Sequence, residues 1–414
     1  MDTEIKFSGN QHSEKKGKNI LFIISGSLSM FLWGMVLYLS VSVYDLEPLP
    51  PGYGFLYPIM AALSLLTGNL FFGHISDIYG RKIPFILSSI LSSSGIMFAS
   101  ISQNYVEMSF SIFLANFSLG GEETVLLSYI FELFQNPLRS RLIIWITNMA
   151  NAGVFFTAVS LFFLSDNTIQ IRDFLGLSSL IILVLILMTR LRFQESEKWI
   201  ESRKNGNKNF DIEEKAKEVW NYSGRHFRIL SDFEQLSTGT VIITGFLLIN
   251  IYFGYIYSNE PYYVSIITTF AGTLSGIILG IFSKTLPHKI IPLISFPTMA
   301  ILVVSAAILS FYSLISMGFL IVILTARSFM SEIGWGSRDL LQTELTFTEY
   351  RSRHISYIRS FSYTILIFLY YVVFVLHPSL SLYLIIISVV EITGALGAIA
   401  WYFRGVETGR KDIS

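Results

Sequence analysis

Glu132–Arg141 reads ELFQNPLRSR, and Glu344–Arg353 reads ELTFTEYRSR, 212 residues further on. The two share Glu, Leu, Arg, Ser and Arg at the same positions, and each stands between one long apolar run and the next. A charged phrase repeated inside an apolar chain points to a duplicated unit, with the copies at equivalent places in two halves. Where those places lie depends on what the apolar runs are.

Over 414 residues, 52% are hydrophobic, 15% aromatic and only 14% charged, too apolar for a water-soluble fold, so lipid is the solvent. Formal net charge is +0, from 29 Lys+Arg and 29 Asp+Glu, which gives no global field to draw in nucleic acid. With Cys at 0, a disulfide, a thiolate metal site and a Cys nucleophile are all excluded. No motif for a cofactor or a metal is found. The polar start, MDTEIKFSGNQHSEKKGK, leads into an apolar run from Asn19 that is too long for a cleavable signal and reads as a retained first span.

A hydrocarbon core of ~30 Å needs ~20 apolar residues per helix. By that ruler there are twelve spans: about 20–43, 54–75, 83–102, 106–132, 142–165 and 173–191, then about 238–258, 261–283, 289–311, 314–342, 354–376 and 379–403. The runs are continuous, without the dyad alternation of a membrane barrel, so the spans are helices. The expected organisation is a tail over 1–18, a six-helix bundle over 19–191, a solvated linker over 192–237, a second six-helix bundle over 238–403 and a tail over 404–414.

Cytoplasmic loops retain Lys and Arg. With the N-terminus inside, one set of loops holds Lys15, Lys16, Lys18, Arg81, Lys82, Arg139, Arg141, the linker, Lys284, Lys289, Arg351, Arg353 and Arg404 to Lys411. The opposite loops offer only Arg172, and carry Asp45, Glu47, Glu107, Asp166, Asp173 and Glu260. Both termini are therefore expected in the cytoplasm, the chain being a multi-pass protein of the plasma membrane. The repeated phrase follows span 4 and again span 10. A fainter echo links GHISDIYGRK (Gly73–Lys82, after span 2) with GIFSKTLPHK (Gly280–Lys289, after span 8). The fold class that follows is all-α: twelve transmembrane helices in two six-helix bundles related by a pseudo-twofold axis along the membrane normal.

GHISDIYGRK also resembles the loop signature of the major facilitator superfamily, G-x-x-x-D-x-x-G-R-K, at Gly73, Asp77, Gly80, Arg81 and Lys82. Within that superfamily the chain looks most like the sugar-porter-like group. ELFQNPLRSR is similar to its E-x-x-P-x-x-x-R-G loop, QESEKWIESR resembles P-E-S-P-R-W-L, and VETGRK is similar to P-E-T-x-G-R. The resemblance implies a secondary transporter working by alternating access, with a cytoplasmic gate made of Gly73, Asp77, Gly80, Arg81, Glu132, Arg139, Arg141, Glu195, Glu344, Arg351 and Arg353. Expected pairs on the family pattern are Arg81 with Glu132, and Arg139 or Arg353 with Glu195. Asp77 is expected to accept from a neighbouring helix N-terminus.

Charges kept inside spans are costly, at ~2.5–3.5 kcal/mol or more each, and mark function. Span 4 holds Glu122 and Glu123; span 10 holds Arg327, Glu332, Arg338 and Asp339; span 12 adds Glu391. On the 212-residue repeat Glu332 falls within two positions of Glu122, which places the two carboxylates across the pseudo-axis at similar depth. Gly120-Gly121-Glu122 resembles the G-G-E or G-G-D of metabolite and phosphate proton symporters, implying a coupling or substrate role for Glu122. Glu123 lies about 100° further round the helix, so one of the pair lines the cavity and the other sits between helices or pairs with an arginine. A carboxylate that alternates between apolar and cationic surroundings can load and release a proton. Asn148, Asn151, Asn250, Tyr252, Tyr255 and Trp335 complete the candidate site, as groups that hydrogen-bond or stack on a small polar solute.

The reading is a transporter of a small polar solute, a sugar or an organic acid, coupled to protons, embedded in a lipid bilayer as a monomer, with no nucleic acid partner. The alternatives are a non-transporting nutrient sensor, a uniporter or exporter of the same fold, and a channel. An enzyme is not expected, since H-E-x-x-H, G-x-S-x-G and nucleotide-cradling motifs do not occur.

Overall fold

The computed structural model describes residues 2–165, 167–191, 193–204, 224–258, 261–346 and 348–409. The linker stretch 205–223 and the loop acids Asp166 and Glu260 lie outside the described residues.

Within the described residues the chain is helical. The first half contains α1 (Asp2–Leu46), α2 (Leu56–Tyr79), α3 (Lys82–Ile101), α4 (Tyr105–Leu133), α5 (Leu138–Leu164) and α6 (Thr168–Arg190), followed by a short α7 (Glu197–Lys204). The second half begins with α8 (Gly224–Gly245), which continues through a π-helical turn at Phe246–Tyr252 into Phe253–Tyr257. It goes on through α9 (Pro261–Phe282), α10 (Ile290–Phe311), α11 (Met317–Glu344), α12 (Arg351–Leu376) and α13 (Leu380–Arg404).

Eleven of these helices are long and apolar enough to cross a membrane. The twelfth is α4, whose 29 residues include Glu107, Glu122, Glu123 and Glu132, and those carboxylates lower its hydropathy. Two sequence boundaries move. Residues 2–18, read as a tail, continue α1 as helix, and α8 starts at Gly224, inside the stretch 192–237 read as linker. A ruler based on 20 apolar residues misses the start of α8 because that turn buries polar groups, Glu234 and Gln235 among them.

Helix starts at the end opposite the arginine-rich loops are set by side-chain caps. Asn104 Oδ1 accepts from Val106 N at 3.1 Å and Glu107 N at 3.0 Å to open α4, and Asn167 Oδ1 accepts from Ile169 N at 3.1 Å and Gln170 N at 3.2 Å to open α6. Ser316 Oγ does the same for α11, accepting from Phe319 N at 3.3 Å.

In the first half α4 packs on α2 and α3, α1 on α5, and α3 on α6; in the second, α13 packs on α10 and α8, and α11 on α9 and α10. The halves meet along two long contacts, α2 with α12 and α5 with α9. A twofold that exchanges the halves maps α2 onto α9 and α5 onto α12, so the two contacts are copies of each other. The fold is therefore two like-oriented six-helix bundles with a seam between them.

Candidate functional site

At the arginine-rich end, backbone geometry comes first. Gly80 has φ 97°, in the left-handed region, and a side chain there would run into the Glu195 carboxylate. Glu195 is thus free to cap α3, accepting from Arg81 N at 2.8 Å and Lys82 N at 3.1 Å. Glu407 caps α10 the same way, accepting from His288 N at 2.9 Å and Lys289 N at 3.1 Å.

Around these caps runs a network of charges, buried except for the side chain of Arg353. Glu132 takes Arg81 Nη2 at 2.8 Å and Arg351 Nη1 at 3.3 Å. Asp77 takes Arg81 Nη1 at 2.6 Å, and Arg353 through both Nε at 3.2 Å and its backbone N at 2.9 Å. Arg351 and Arg353 belong to the second half, so both pairs cross the seam. Gly73 permits the crossing, because a Cβ there would overlap Ser356 of α12. Ser128 Oγ meets Ser352 Oγ at 2.8 Å beside it.

The pairing expected for Glu195 is corrected: Arg353 goes to Asp77, while Arg139 lies over the Phe131 ring at 3.9 Å, with Arg351 over the same ring at 4.1 Å. Glu195 is drawn instead to two backbone N–H groups at a helix start. Arg141 stands on the first turn of α5, half-buried. Glu344, the second copy of Glu132, meets no arginine among the described residues; it holds His288 Nδ1 at 2.9 Å and accepts from Thr408 Oγ1. Burial pulls the His288 imidazole down, but Glu344 and Glu407 outweigh it and hold it above the ordinary histidine value.

Deeper in the seam lies a cluster of buried polar groups. Arg359 of α12 binds Glu123 of α4 in a two-pronged fashion, Nη1 donating to Oε2 and Nη2 to Oε1. Arg338 Nη2 is 3.3 Å from Glu123 Oε1 and 2.8 Å from Asp339 Oδ1, and Arg359 Nη2 is 3.4 Å from Asp339 Oδ1. Trp335 Nε1 donates to Glu123 Oε1 at 3.0 Å across 212 residues, so positions equivalent on the repeat touch near its axis. Trp335 also meets Trp33 edge-on at 6.0 Å. On the α5 side Asn151 Nδ2 donates to Glu332 Oε2 at 2.6 Å and to Asn148 Oδ1 at 3.3 Å, and Asn148 Nδ2 donates to Thr273 O at 2.9 Å.

Other candidates lie elsewhere. Glu122 does not face Glu332 across the seam; it turns into the first bundle, against Arg190 of α6 and the hydroxyls of Ser29 and Ser88. The cause is the 100° step between adjacent helical residues, which gives Glu123 the seam and Glu122 the bundle interior. Arg327 is likewise inside the second bundle, its Nη2 2.7 Å from Glu391 Oε1. Asn250 Oδ1 accepts from Ser328 Oγ at 2.5 Å within the π-helical turn of α8. Tyr252 and Tyr255 sit towards the opposite end, where Tyr252 Oη reaches Ser40 O at 3.5 Å and Tyr255 Oη reaches Asp45 Oδ2 at 3.4 Å, with Tyr262 on the same carboxylate. These contacts close the seam at that end.

Arg359, Arg190 and His288 escaped the sequence reading. Arg359 carried a usable signal, as the one Lys or Arg inside the span read as about 354–376. His288 carried a fainter one, its place opposite Arg81 in the echo of GHISDIYGRK by GIFSKTLPHK; its contact with Glu344 came only from the fold.

Residues 20–337 match the family model of the Major Facilitator Superfamily. In fold, the chain is similar to the MFS proton:xylose symporter XylE bound to 6-bromo-6-deoxy-D-glucose, with a TM-score of 0.75 at 14% identity, covering 95% of this chain and 97% of that one. It is also similar to the partially occluded inward-open xylose transporter XylE from E. coli (TM-score 0.70, 14% identity, 95% and 99% covered). The inward-open form of the same E. coli transporter gives a TM-score of 0.68 at 16% identity, with 94% and 97% covered. At these identities the likeness is one of fold. No curated protein matches the chain in sequence.

Proposed function

Since the chain belongs to the Major Facilitator Superfamily, we propose that it is a proton-coupled secondary active transporter, moving a small polar organic solute by alternating access at the Glu123–Trp335–Arg359 seam. The observation that carries this reading is where the buried charge lies. Glu123 from one half is held by Arg338 and Arg359 from the other, so a two-pronged buried ion pair of the interior is one that the rocking of two bundles must break. Sugars and organic acids are the solute classes that such groups recognise, and the resemblance to a xylose transporter favours neither at this identity. The arginine-rich end is the cytoplasmic face by the distribution of Lys and Arg. The network of Asp77, Arg81, Glu132, Arg351 and Arg353 is its gate.

Glu332 is the proton carrier in this scheme. It is buried at the seam, held by Asn151, and makes no ion pair among the described residues. A buried carboxylate without a cation is far less costly when protonated, and opening to water on either side lets it ionise. Glu122, bound to Arg190 inside one bundle, lacks that access. The transport reading is tested by solute counterflow into proteoliposomes. Glu332→Gln is expected to abolish accumulation driven by a pH gradient while leaving counterflow within about threefold of wild type, a factor worth roughly 0.7 kcal/mol. Gradient-driven accumulation that survives in this variant would reject Glu332 as the carrier. A non-transporting sensor would show binding without counterflow.

A further inference from the structure

Within the proposed site, one of the charges behaves like a ligand already in place. Among the described residues Glu123 is the only member of its ion cluster that comes from the first half; Trp335, Arg338, Asp339 and Arg359 all come from the second. Its carboxylate lies in the two-pronged grip that a guanidinium gives to any carboxylate, with Arg338 alongside and the Trp335 N–H as a third donor. When the halves separate, Glu123 leaves with α4, and two arginines and an indole N–H remain on the wall of the second half.

Asp339 cannot neutralise both. It reaches the two guanidiniums through Oδ1 alone, at 2.8 and 3.4 Å. Even in the closed seam Arg338 Nη1 and Arg359 Nε are buried without a partner among the described residues, and both side chains are at most 2% exposed. A guanidinium carries five donors and no acceptor, so the wall presents many donors against one buried acceptor without a partner among the described residues, Asp339 Oδ2, and favours a group that mainly accepts. A neutral polyol must place the proton of every hydroxyl, with that single oxygen to take one. A carboxylate fits the place that one carboxylate already occupies.

We propose that the transported solute is an organic anion whose carboxylate exchanges with Glu123 in the fork formed by Arg338 and Arg359. Glu123 is then a tethered competitor that fills the fork when the transporter is empty. This assignment rests on the reading of the seam as the transport site.

The experiment uses the full chain in lipid nanodiscs, with ligand binding followed by thermal shift and calorimetry at constant ionic strength. The probes are potassium lactate, succinate, gluconate and benzoate, against xylose, glucose and sorbitol, with potassium chloride as the salt control. A carboxylate is expected to bind and the neutral probes are not. Glu123→Gln should tighten that carboxylate by roughly tenfold, because the tethered competitor is gone. Arg359→Gln should abolish its binding, and Arg359→Lys, which keeps the charge but loses the fork, should weaken it by at least tenfold. Should Arg359→Gln not fold, the Lys variant and Glu123→Gln decide the question.

Binding of a neutral sugar in preference to every carboxylate, binding of none of the carboxylates, or weaker carboxylate binding in Glu123→Gln would overturn the proposal. Counterflow with the same probes separates the two readings. Sugar counterflow unaffected by carboxylates leaves a transporter without an anion fork. Carboxylate binding without counterflow leaves the fork but removes transport.

Discussion

His288 shows how one residue changes the physics of a repeated device. In the first half, a permanently charged arginine follows Gly80 and meets Glu132; at the matching place in the second half, His288 meets Glu344 while Glu407 caps the helix start and Thr408 adds a hydroxyl. Because the folded protein holds the imidazole above its ordinary value, the contact's contribution to stability is fully present below about pH 6.5. It is lost as pH rises through the raised folded value. The strap Gly405–Gly409, which packs on the imidazole through Gly409, is expected to gain hydrogen exchange on the alkaline side of that transition. His288→Arg should flatten the profile at the protected level and His288→Gln at the exposed level. An exchange profile in His288→Arg that still follows pH would assign the effect to another group.

Between elements, each half carries a buried Arg–Glu staple joining its fourth and sixth spanning helices, with the polarity reversed. In the first, Glu122 of α4 binds Arg190 of α6; in the second, Arg327 of α11 binds Glu391 of α13. Removing one partner leaves an uncompensated buried charge, at a cost of ~3–5 kcal/mol. Glu122→Gln should therefore lower the thermal midpoint sharply, while the double variant Glu122→Leu with Arg190→Leu recovers most of the loss, since an apolar pair of similar volume removes the desolvation penalty as well. A Glu122→Gln protein with wild-type stability and lost coupling would return that residue to the transport role suggested by its Gly-Gly-Glu setting. Here the sequence was partly legible. It showed that both carboxylates of span 4 lie at mid-depth, and helical geometry showed that they diverge. Which one took the seam depended on the positions of Arg190 and Arg359, on helices far away in the chain.

Over the whole molecule, the seam contacts α2–α12 and α5–α9 are symmetry copies, so closing one end and opening the other are movements of the same pair of bundles. Ser128 and Ser352 face each other across the seam at the arginine-rich end, Oγ to Oγ 2.8 Å, and the chain contains no cysteine to interfere. The double variant Ser128→Cys with Ser352→Cys should oxidise to a disulfide, which closes at about 2.05 Å between sulfurs. Counterflow should then stop and return on reduction. Undiminished counterflow in the fully crosslinked protein would show that this end does not part during transport.

By itself the sequence determined the twelve spans, their common sense in the two halves and the charged loops that join them, because burying a helix in hydrocarbon imposes length and apolarity on each segment separately. The tertiary structure alone decided which charge meets which. Glu195 turned to a helix start, Arg353 to Asp77, Glu122 to Arg190 and Glu123 to Arg338 and Arg359, since ion pairing in a low-dielectric interior is set by rotation and register between helices, which no local pattern along the chain encodes.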